Sequence, residues 1–206
     1  MLSANEKKYH QRVDLLLHSL EKMEFMSRSQ IQKLLNVPNV RNINRILLNM
    51  SKYLNSKRLH ENVYYLNKAG RNYIGMKKEP PKPKQLEHRL MRSDMYMYYD
   101  CPKNWKSEHP IEWQDRQRNK KKVISDAFFS QDGTYFFIEA DHKQTMKKNF
   151  DKIDLYGELL PLLEKEYKVD CVLIFYTLSN ARKQRLMDYC TEKGITCGVF
   201  TKEDMM

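Results

Sequence analysis

The chain has 206 residues, enough for one large or two small domains, and it carries 37 basic against 26 acidic side chains, a net charge of +11. A surface this basic attracts polyanions, so nucleic acid or an anionic membrane surface is the expected partner. No run of about 18 apolar residues is present and residues 1–10 are too polar for a secretory signal, so we expect a cytoplasmic protein without a membrane span. The cysteines lack the spacing of a zinc site and are expected to be reduced thiols: Cys101, Cys171, Cys190 and Cys197.

The N-terminal quarter of the chain predicts three helices. Apolar residues that recur at three- and four-residue intervals predict a helix from Lys8 to Met26. Ser27 stands three residues before Gln30, which is close to a capping box, so a second helix should begin there and run to about Leu35. After a break that contains a proline, a third amphipathic helix is predicted from Val40 to Met50.

The third helix has the composition of a helix that reads DNA bases. Its predicted buried stripe is Val40, Ile43, Ile46, Leu47 and Met50. The predicted outward face is Arg41, Asn42, Asn44, Arg45 and Asn49. Because arginine reads guanine and asparagine reads adenine by bidentate hydrogen bonds in the major groove, this face favours a recognition helix. The alternative is a solvated face that happens to be rich in asparagine.

A basic segment and a short alternating run follow the third helix. The run from His60 to Leu66 predicts a hairpin, and the order helix, turn, helix, hairpin predicts a winged helix-turn-helix that binds double-stranded DNA. A basic hairpin would lie against the phosphate backbone and fix the register without reading sequence. The predicted DNA contacts are Ser29, Gln30, Arg41, Asn42, Asn44, Arg45, Lys52, Lys57 and Arg58.

A proline-rich segment divides the chain. Prolines at the density of residues 79–84 hold an extended spacer, so we predict a DNA-binding domain over residues 1–78 and a second domain over residues 85–206. A helical period from Gln85 to Tyr99 is expected to open the second domain. Beyond it, strand, hairpin, helix, strand, helix and strand predict an α/β sandwich with a mixed sheet, so the whole chain is expected to be α+β or α/β.

Three carboxylates are predicted to meet on the hairpin of the second domain. The turn at Gln131 to Gly133 brings residue 126 opposite residue 138 or 139, and side chains on a strand alternate between faces. Asp126, Glu139 and Asp141 can therefore converge, with Lys143 two residues further on. Hard cations such as Mg²⁺ or Mn²⁺ prefer oxygen ligands of this kind, so the group would suit metal-assisted phosphodiester hydrolysis.

The order of these motifs resembles that of PD-(D/E)XK nucleases. More specifically, the chain resembles the replication-relaxation family of plasmid and mobile-element proteins of Gram-positive bacteria, which join a winged helix to a nuclease-like domain. The segments that carry the resemblance are Tyr65 to Gly70, Leu86 to Leu90, Ser125-Asp126-Ala127 and Phe137 to Asp141. Serine replaces the usual proline at 125, and Asp141 occupies the expected lysine position, so an active site would need the register Asp141-His142-Lys143.

Together these features predict a sequence-specific double-stranded DNA-binding protein of a plasmid, phage or mobile element, acting in replication, transfer or transcriptional control. In this interpretation the carboxylates are remnants of a nuclease site, and no cofactor is needed. The alternative is a metal-dependent DNA endonuclease or nickase that uses Asp126, Glu139, Asp141 and Lys143, with the three carboxylates as Mg²⁺ or Mn²⁺ ligands. Because winged-helix proteins commonly read paired half-sites, a homodimer is also expected.

Overall fold

The structure is a computed structural model that describes residues 3–79, 82–115 and 117–205, and only the backbone of residue 5. The chain forms two compact units, Met1–Met97 and Tyr98–Met206. The predicted fold class is confirmed, since α-helices accompany a three-stranded sheet in the first unit and a mixed five-stranded sheet in the second. No helix within the described ranges is long and apolar enough to cross a bilayer.

The first unit follows the element order predicted for a winged helix-turn-helix. Its elements are α1 (Ala4–Met23), β1 (Met26–Ser27), α2 (Arg28–Leu34), α3 (Val40–Asn49), β2 (Leu54–Arg58), β3 (Asn62–Leu66), α4 (Lys68–Tyr73) and α5 (Leu86–Tyr98). The strands are antiparallel in the order β1-β3-β2. A single 3-10 turn, Ser51–Tyr53, joins α3 to the β2–β3 hairpin, which brings the hairpin back beside α3.

Side-chain caps set where the helices of this unit begin. Ser27 and Gln30 form the complete capping box that their spacing predicts, with Gln30 N donating to Ser27 Oγ and Ser27 N donating to Gln30 Oε1. Asn39 caps α3 by accepting a hydrogen bond from Asn42 N at 2.9 Å. These caps satisfy N–H groups that have no partner inside the helix, so each helix start is fixed locally.

The apolar stripe of α3 is narrower than predicted. Ile43, Leu47 and the C-cap residue Met50 are buried, whereas Ile46 is half-buried and Val40 is 49 % exposed. The prediction of Val40 as a core residue was therefore wrong. As the first residue of α3, Val40 precedes the turn whose side chains reach the core.

Helix α5 packs on the first unit. Its Leu86 is buried in a cluster with Phe25 and Val63, and Leu90 packs against the same cluster. Arg92 lies fully buried with Nη2 2.7 Å from Glu24 Oε2. The unit boundary therefore follows Met97, whereas the sequence suggested that this helix opens the second domain at residue 85. Of the predicted proline-rich linker, residues 80 and 81 lie outside the described part of the chain.

The second unit contains the predicted alternation of strands and helices. Its elements are β4 (Lys106–Gln114), β5 (Lys120–Gln131), β6 (Thr134–Asp141), α6 (Met146–Tyr167), β7 (Asp170–Thr177), α7 (Asn180–Glu192) and β8 (Cys197–Phe200). The strand order is β4-β5-β6-β7-β8, antiparallel from β4 to β6 and parallel from β6 to β8. Side chains of α6 and α7 cover one face, with Ile153, Tyr156 and Leu186 buried against Phe137 and Phe175.

Strands β4 and β5 extend past their apolar residues into charged sequence. Of the basic run from residue 116 to 122, Lys120, Lys121 and Lys122 belong to β5. Lys122 pairs with Glu112 of β4 in the strand register, and its Nζ lies 2.9 Å from Glu112 Oε1. Cross-strand pairs of opposite charge let a charged segment extend the ladder, which hydrophobic alternation alone does not reveal. Residue 116 itself lies outside the described part of the chain.

Candidate functional site

A groove of about 450 Å³ lies between α3 and the β2–β3 hairpin of the first unit. Polar and basic side chains dominate its lining, which consists of Arg28, Asn44, Leu47, Leu48, Ser51, Ser56, Arg58, Asn62 and Tyr64. They include the hydrogen-bonding side chains of Asn44, Ser51, Ser56, Arg58 and Asn62, which can donate to or accept from a nucleic acid. The groove is therefore the first candidate site.

The outer face of α3 presents its predicted contacts to solvent. Arg41, Asn44 and Arg45 are exposed, whereas Asn42 is half-buried. The exposed side chains carry guanidinium and amide groups, the two groups best suited to bidentate contact with base edges. The sequence interpretation missed Leu48, which is 71 % exposed on this face.

The two basic residues at the end of β2 point to opposite faces of the hairpin. Arg58, with its cross-strand partner Asn62, lines the groove beside α3. Lys57 pairs with the buried Val63 instead, and its Nζ donates to Pro83 O at 3.3 Å. Because neighbouring residues on a strand alternate between faces, Arg58 and Lys57 do not act on the same side of the hairpin.

Lys52 lies in the turn between α3 and β2. It is exposed, and its Nζ stands 4.7 Å from the centre of the Tyr53 ring. The contact with Tyr53 raises the pKa of Lys52 above its ordinary value, so this side chain keeps its positive charge at neutral pH.

Gln30, predicted as a DNA contact, is a structural residue. It is buried, and its Nε2 donates to Leu90 O at 2.8 Å and to Asp94 Oδ1 at 2.7 Å, both on α5. With its Oε1 engaged by Ser27, the amide has donors and acceptor satisfied inside the protein. The reason is tertiary, since α5 approaches the start of α2 from 60 residues further along the chain.

Ser29 is exposed but bonded to the hairpin. Its N donates to Glu61 Oε2 at 3.1 Å, and its Oγ also donates to the Glu61 carboxylate. Arg28 Nη2 lies 2.9 Å from the same carboxylate. Burial would raise the pKa of Glu61, but these hydrogen bonds and the charge of Arg28 outweigh it and hold the pKa below its ordinary value. Glu61 therefore remains charged and offsets Arg28 at the edge of the groove.

A second cluster of polar side chains lies inside the second unit. The β5–β6 register pairs Ala127 with Ile138, which brings Asp126 beside Glu139 as the turn position predicted. Asp126 Oδ2 accepts a hydrogen bond from Ala140 N at 2.8 Å. Glu139 is buried and accepts from Tyr156 OH at 2.6 Å and from Lys152 Nζ. Two carboxylates and a lysine therefore meet at this point of the sheet.

Burial dominates the ionisation of Glu139. It raises the pKa of Glu139 to about 8, against the opposing charge of Lys152 and with the added repulsion of Asp126. A carboxyl group with such a pKa is mostly protonated at neutral pH. Burial would lower the pKa of Lys152, but the nearby carboxylates raise it above its ordinary value, so Lys152 keeps a positive charge beside Glu139.

Asp141 does not join this cluster. It is 1 % exposed, and Arg182 donates hydrogen bonds to both of its oxygens, from Nε to Oδ2 at 2.7 Å and from Nη2 to Oδ1 at 2.6 Å. Thr177 Oγ1 also donates to Oδ2 at 2.7 Å. Burial would raise the pKa of Asp141, but these bonds from Arg182, Asn149 and Thr177 outweigh it and lower the pKa. Asp141 is a buried anion that links β6 to α7.

Lys143 is exposed in the segment between β6 and α6, and the lysine that contacts Glu139 is Lys152 of α6. Within the described ranges, no group of three or more histidine, cysteine, aspartate or glutamate side chains is arranged to hold a metal ion. Both oxygens of Glu139 are engaged by protein donors, and Asp141 is paired with Arg182. The side chains therefore do not fit the three-carboxylate magnesium site that the sequence suggested.

The sequence profile of the replication-relaxation family matches residues 17–169, about three quarters of the chain. The chain belongs to the replication-relaxation family. Membership associates it with the replication or relaxation of plasmids and other mobile elements. The match spans both the α3 groove and the Asp126–Glu139 cluster. No curated protein and no solved structure matches the chain.

Several side chains at these two sites were missed by sequence reasoning. In the groove they are Arg28, Leu48, Ser56 and Asn62, and in the second unit Lys152, Tyr156 and Arg182. A signal existed for Lys152 and Tyr156, because a four-residue spacing on a helix puts both on the face that covers β6. No comparable signal marks Arg182, which meets Asp141 only through tertiary packing.

Proposed function

We propose that this member of the replication-relaxation family is a sequence-specific double-stranded DNA-binding protein of a plasmid or mobile element. The first unit would bind the duplex, with α3 in the major groove and the β2–β3 hairpin along the phosphate backbone. The observation that carries the proposal is the groove in which Asn44 of α3 lies opposite Arg58 and Asn62 of the hairpin, on a helix that also exposes Arg41 and Arg45. This arrangement supplies base-reading and phosphate-binding groups side by side.

The charge of the molecule supports a polyanionic partner. The net charge is +11, and Arg41, Arg45 and Lys52 are exposed on or next to the same helix. Each cation that neutralises a phosphate releases condensed counterions from the duplex, so the affinity should fall steeply as the salt concentration rises. The proposed interface leaves out Gln30, which is buried and bonded to α5, and Lys57, which lies on the opposite face of the hairpin from Arg58.

The test removes the two base-reading arginines together. A binding site is first selected from a random duplex library with the purified full-length protein, and footprints are then recorded for the wild type and for Arg41→Ala with Arg45→Ala. Since a bidentate base contact contributes about 1–3 kcal/mol of discrimination, we expect the double variant to lose roughly 30-fold or more in preference for the selected site. Both side chains are exposed, so the fold should not change.

A charge-matched control separates base reading from general attraction. Lys7→Ala with Lys8→Ala removes two exposed positive charges from α1 and should keep the selected footprint. If the arginine double variant protects the same footprint with the same preference as the wild type, α3 is not the recognition helix. If the wild type shows no salt-dependent binding to any duplex, the proposed function itself is wrong.

A second candidate function is metal-dependent cleavage of DNA. The observation that favours it is the contact of Lys152 with Glu139 beside Asp126. Lys152 thus supplies, from α6, the lysine that the sequence motif lacks next to its two carboxylates. Such an enzyme would nick supercoiled plasmid in a Mg²⁺ or Mn²⁺ series, and Asp126→Ala would abolish the nicking. We expect the plasmid to remain intact, because both oxygens of Glu139 are engaged by protein donors. Reproducible nicking that Asp126→Ala removes would establish the enzyme instead.

We also propose that the protein binds as a homodimer on paired half-sites. Light scattering of the full chain, alone and with the selected duplex, tests this stoichiometry. A 1:1 complex on a site without dyad symmetry would rule it out.

A further inference from the structure

Three residues of α3 form a line along its exposed face. Val40, Asn44 and Leu48 are spaced by four residues, so they lie one above another on the helix surface. Val40 is 49 % exposed, Leu48 is 71 % exposed, and Asn44 between them is also exposed. With a rise of about 1.5 Å per residue, the line is roughly 12 Å long.

The line lies where the proposed function puts the bases. Asn44 and Leu48 both line the groove between α3 and the hairpin, and the exposed Arg41 and Arg45 follow Val40 and Asn44 in the chain. A length of roughly 12 Å spans three to four base pairs, which are stacked about 3.4 Å apart. Single exposed hydrophobic residues are common on protein surfaces, but here two of them bracket an amide on a face otherwise made of base-reading groups.

The major groove offers one apolar feature to such side chains. Each thymine projects its C5-methyl group there, and the adenine paired with it presents N7 and N6, which an asparagine side chain can bind bidentately. An apolar–amide–apolar line therefore matches a run of A·T pairs better than one of G·C pairs, because a G·C pair carries no methyl group.

We propose that Val40 and Leu48 bind thymine methyl groups on either side of an adenine bound by Asn44, so that the preferred site is A·T-rich beneath α3. This inference rests on the proposed function, and it adds the base composition of the target. Burying one methyl group contributes a factor of about four in affinity, so each thymine methyl removed should weaken binding by about fourfold.

The experiment removes those methyl groups without altering base pairing. In the duplex selected from the random library, each thymine is replaced in turn by deoxyuridine, and the dissociation constant is measured by fluorescence anisotropy. We expect about fourfold weaker binding at the thymines beneath Val40 and Leu48 and no change elsewhere. Leu48→Ala should weaken binding to the thymine duplex and become insensitive to deoxyuridine at its own position. The matched control, Leu15→Ala, truncates a leucine that is 46 % exposed on α1 and should behave as the wild type.

The outcomes distinguish this inference from the function on which it rests. Selected sites bound with normal salt dependence but without sensitivity to deoxyuridine, or with G·C pairs beneath α3, would overturn the inference and leave DNA binding intact. Absence of any duplex binding would overturn both. If Leu48→Ala lowers the mass measured by light scattering in the absence of DNA, Leu48 belongs to a contact between two copies of the chain and the inference is wrong.

Discussion

Replacing Arg182 by methionine should leave Asp141 as a buried anion without its cationic partner. The substitution keeps most of the apolar stem but removes the two guanidinium contacts to the carboxylate, at 2.7 and 2.6 Å, and a third hydrogen bond to Gln144 O at 2.8 Å. Within the described part of the chain, Thr177 and Asn149 then remain as hydrogen-bonding partners of Asp141. Breaking one side of a buried ion pair costs about 3–5 kcal/mol. Because the Arg182 side chain is 27 % exposed, water can partly replace it, so we expect about 3 kcal/mol.

Urea denaturation can report this loss for the second unit alone. The chain has two tryptophans, Trp105 and Trp113, and both belong to the second unit, so their fluorescence follows its unfolding. With a urea dependence of about 1–3 kcal/mol per molar, a loss of 3 kcal/mol lowers the midpoint by about 1–3 M. The control Arg185→Met removes an exposed arginine from the same helix, where it stands 5.8 Å from the Phe150 ring, and should cost less than about 1 kcal/mol.

The pH dependence provides a further check on the same pair. The folded pKa of Asp141 lies below its ordinary value of 3.8, so the stability from this pair is present above that pH and is lost as the pH falls through the folded pKa. The difference between wild type and Arg182→Met should therefore narrow in acid. A midpoint shift no larger than that of Arg185→Met, or one unchanged by acid, would refute the structural role assigned to Asp141.

Three other predictions concern single side chains. The folded pKa of Glu139 is about 8 against an ordinary value of 4.5, so between these two pH values the folded state holds one more proton than the unfolded state. The free energy of unfolding should therefore fall as the pH rises from about 4.5 to 8. Glu139→Gln should flatten this fall when the free energy is measured by urea titration. Because Arg28 lines the groove and pairs with Glu61, Glu61→Gln should let Arg28 contact a DNA phosphate, tighten duplex binding and steepen the log–log salt dependence by about 0.9. An unchanged slope would show that Arg28 does not reach the phosphates. Gly70→Ala should lower the unfolding temperature followed by circular dichroism, because the added Cβ would lie 2.3 Å from Tyr53 O. An unchanged unfolding temperature would show that the Ser51–Tyr53 turn can move away without cost.

Much of the fold follows from patterns that extend over only a few residues. The Ser27 and Gln30 spacing produced the capping box it predicts, and the turn at Gln131 to Gly133 set a register that brings Asp126 beside Glu139. Hydrophobic periodicity located the helices and strands of both units because it arises from the geometry of the backbone itself. Opposite charges extend the β4–β5 pairing beyond the apolar residues, since Lys122 of β5 lies opposite Glu112 of β4.

The composition of the candidate sites depended on contacts between residues far apart in the chain. Gln30 has the polarity of a DNA contact, yet α5 binds it from 60 residues away. Asp141 follows the strand parity of Glu139, yet Arg182 from 41 residues away turns it into a structural anion. A local sequence pattern gives no information about which side chain from a distant part of the chain will contact a given polar group.

The sequence by itself determined most of the helices and strands, the Ser27 cap, the family, and the polar face of α3, because these depend on residue type and on spacings within one element. Only the tertiary structure decided which polar side chains remain available to a ligand. Each buried donor or acceptor must find a partner as the elements pack, and that requirement engaged Gln30 and Asp141 while it left Arg41, Asn44 and Arg45 exposed.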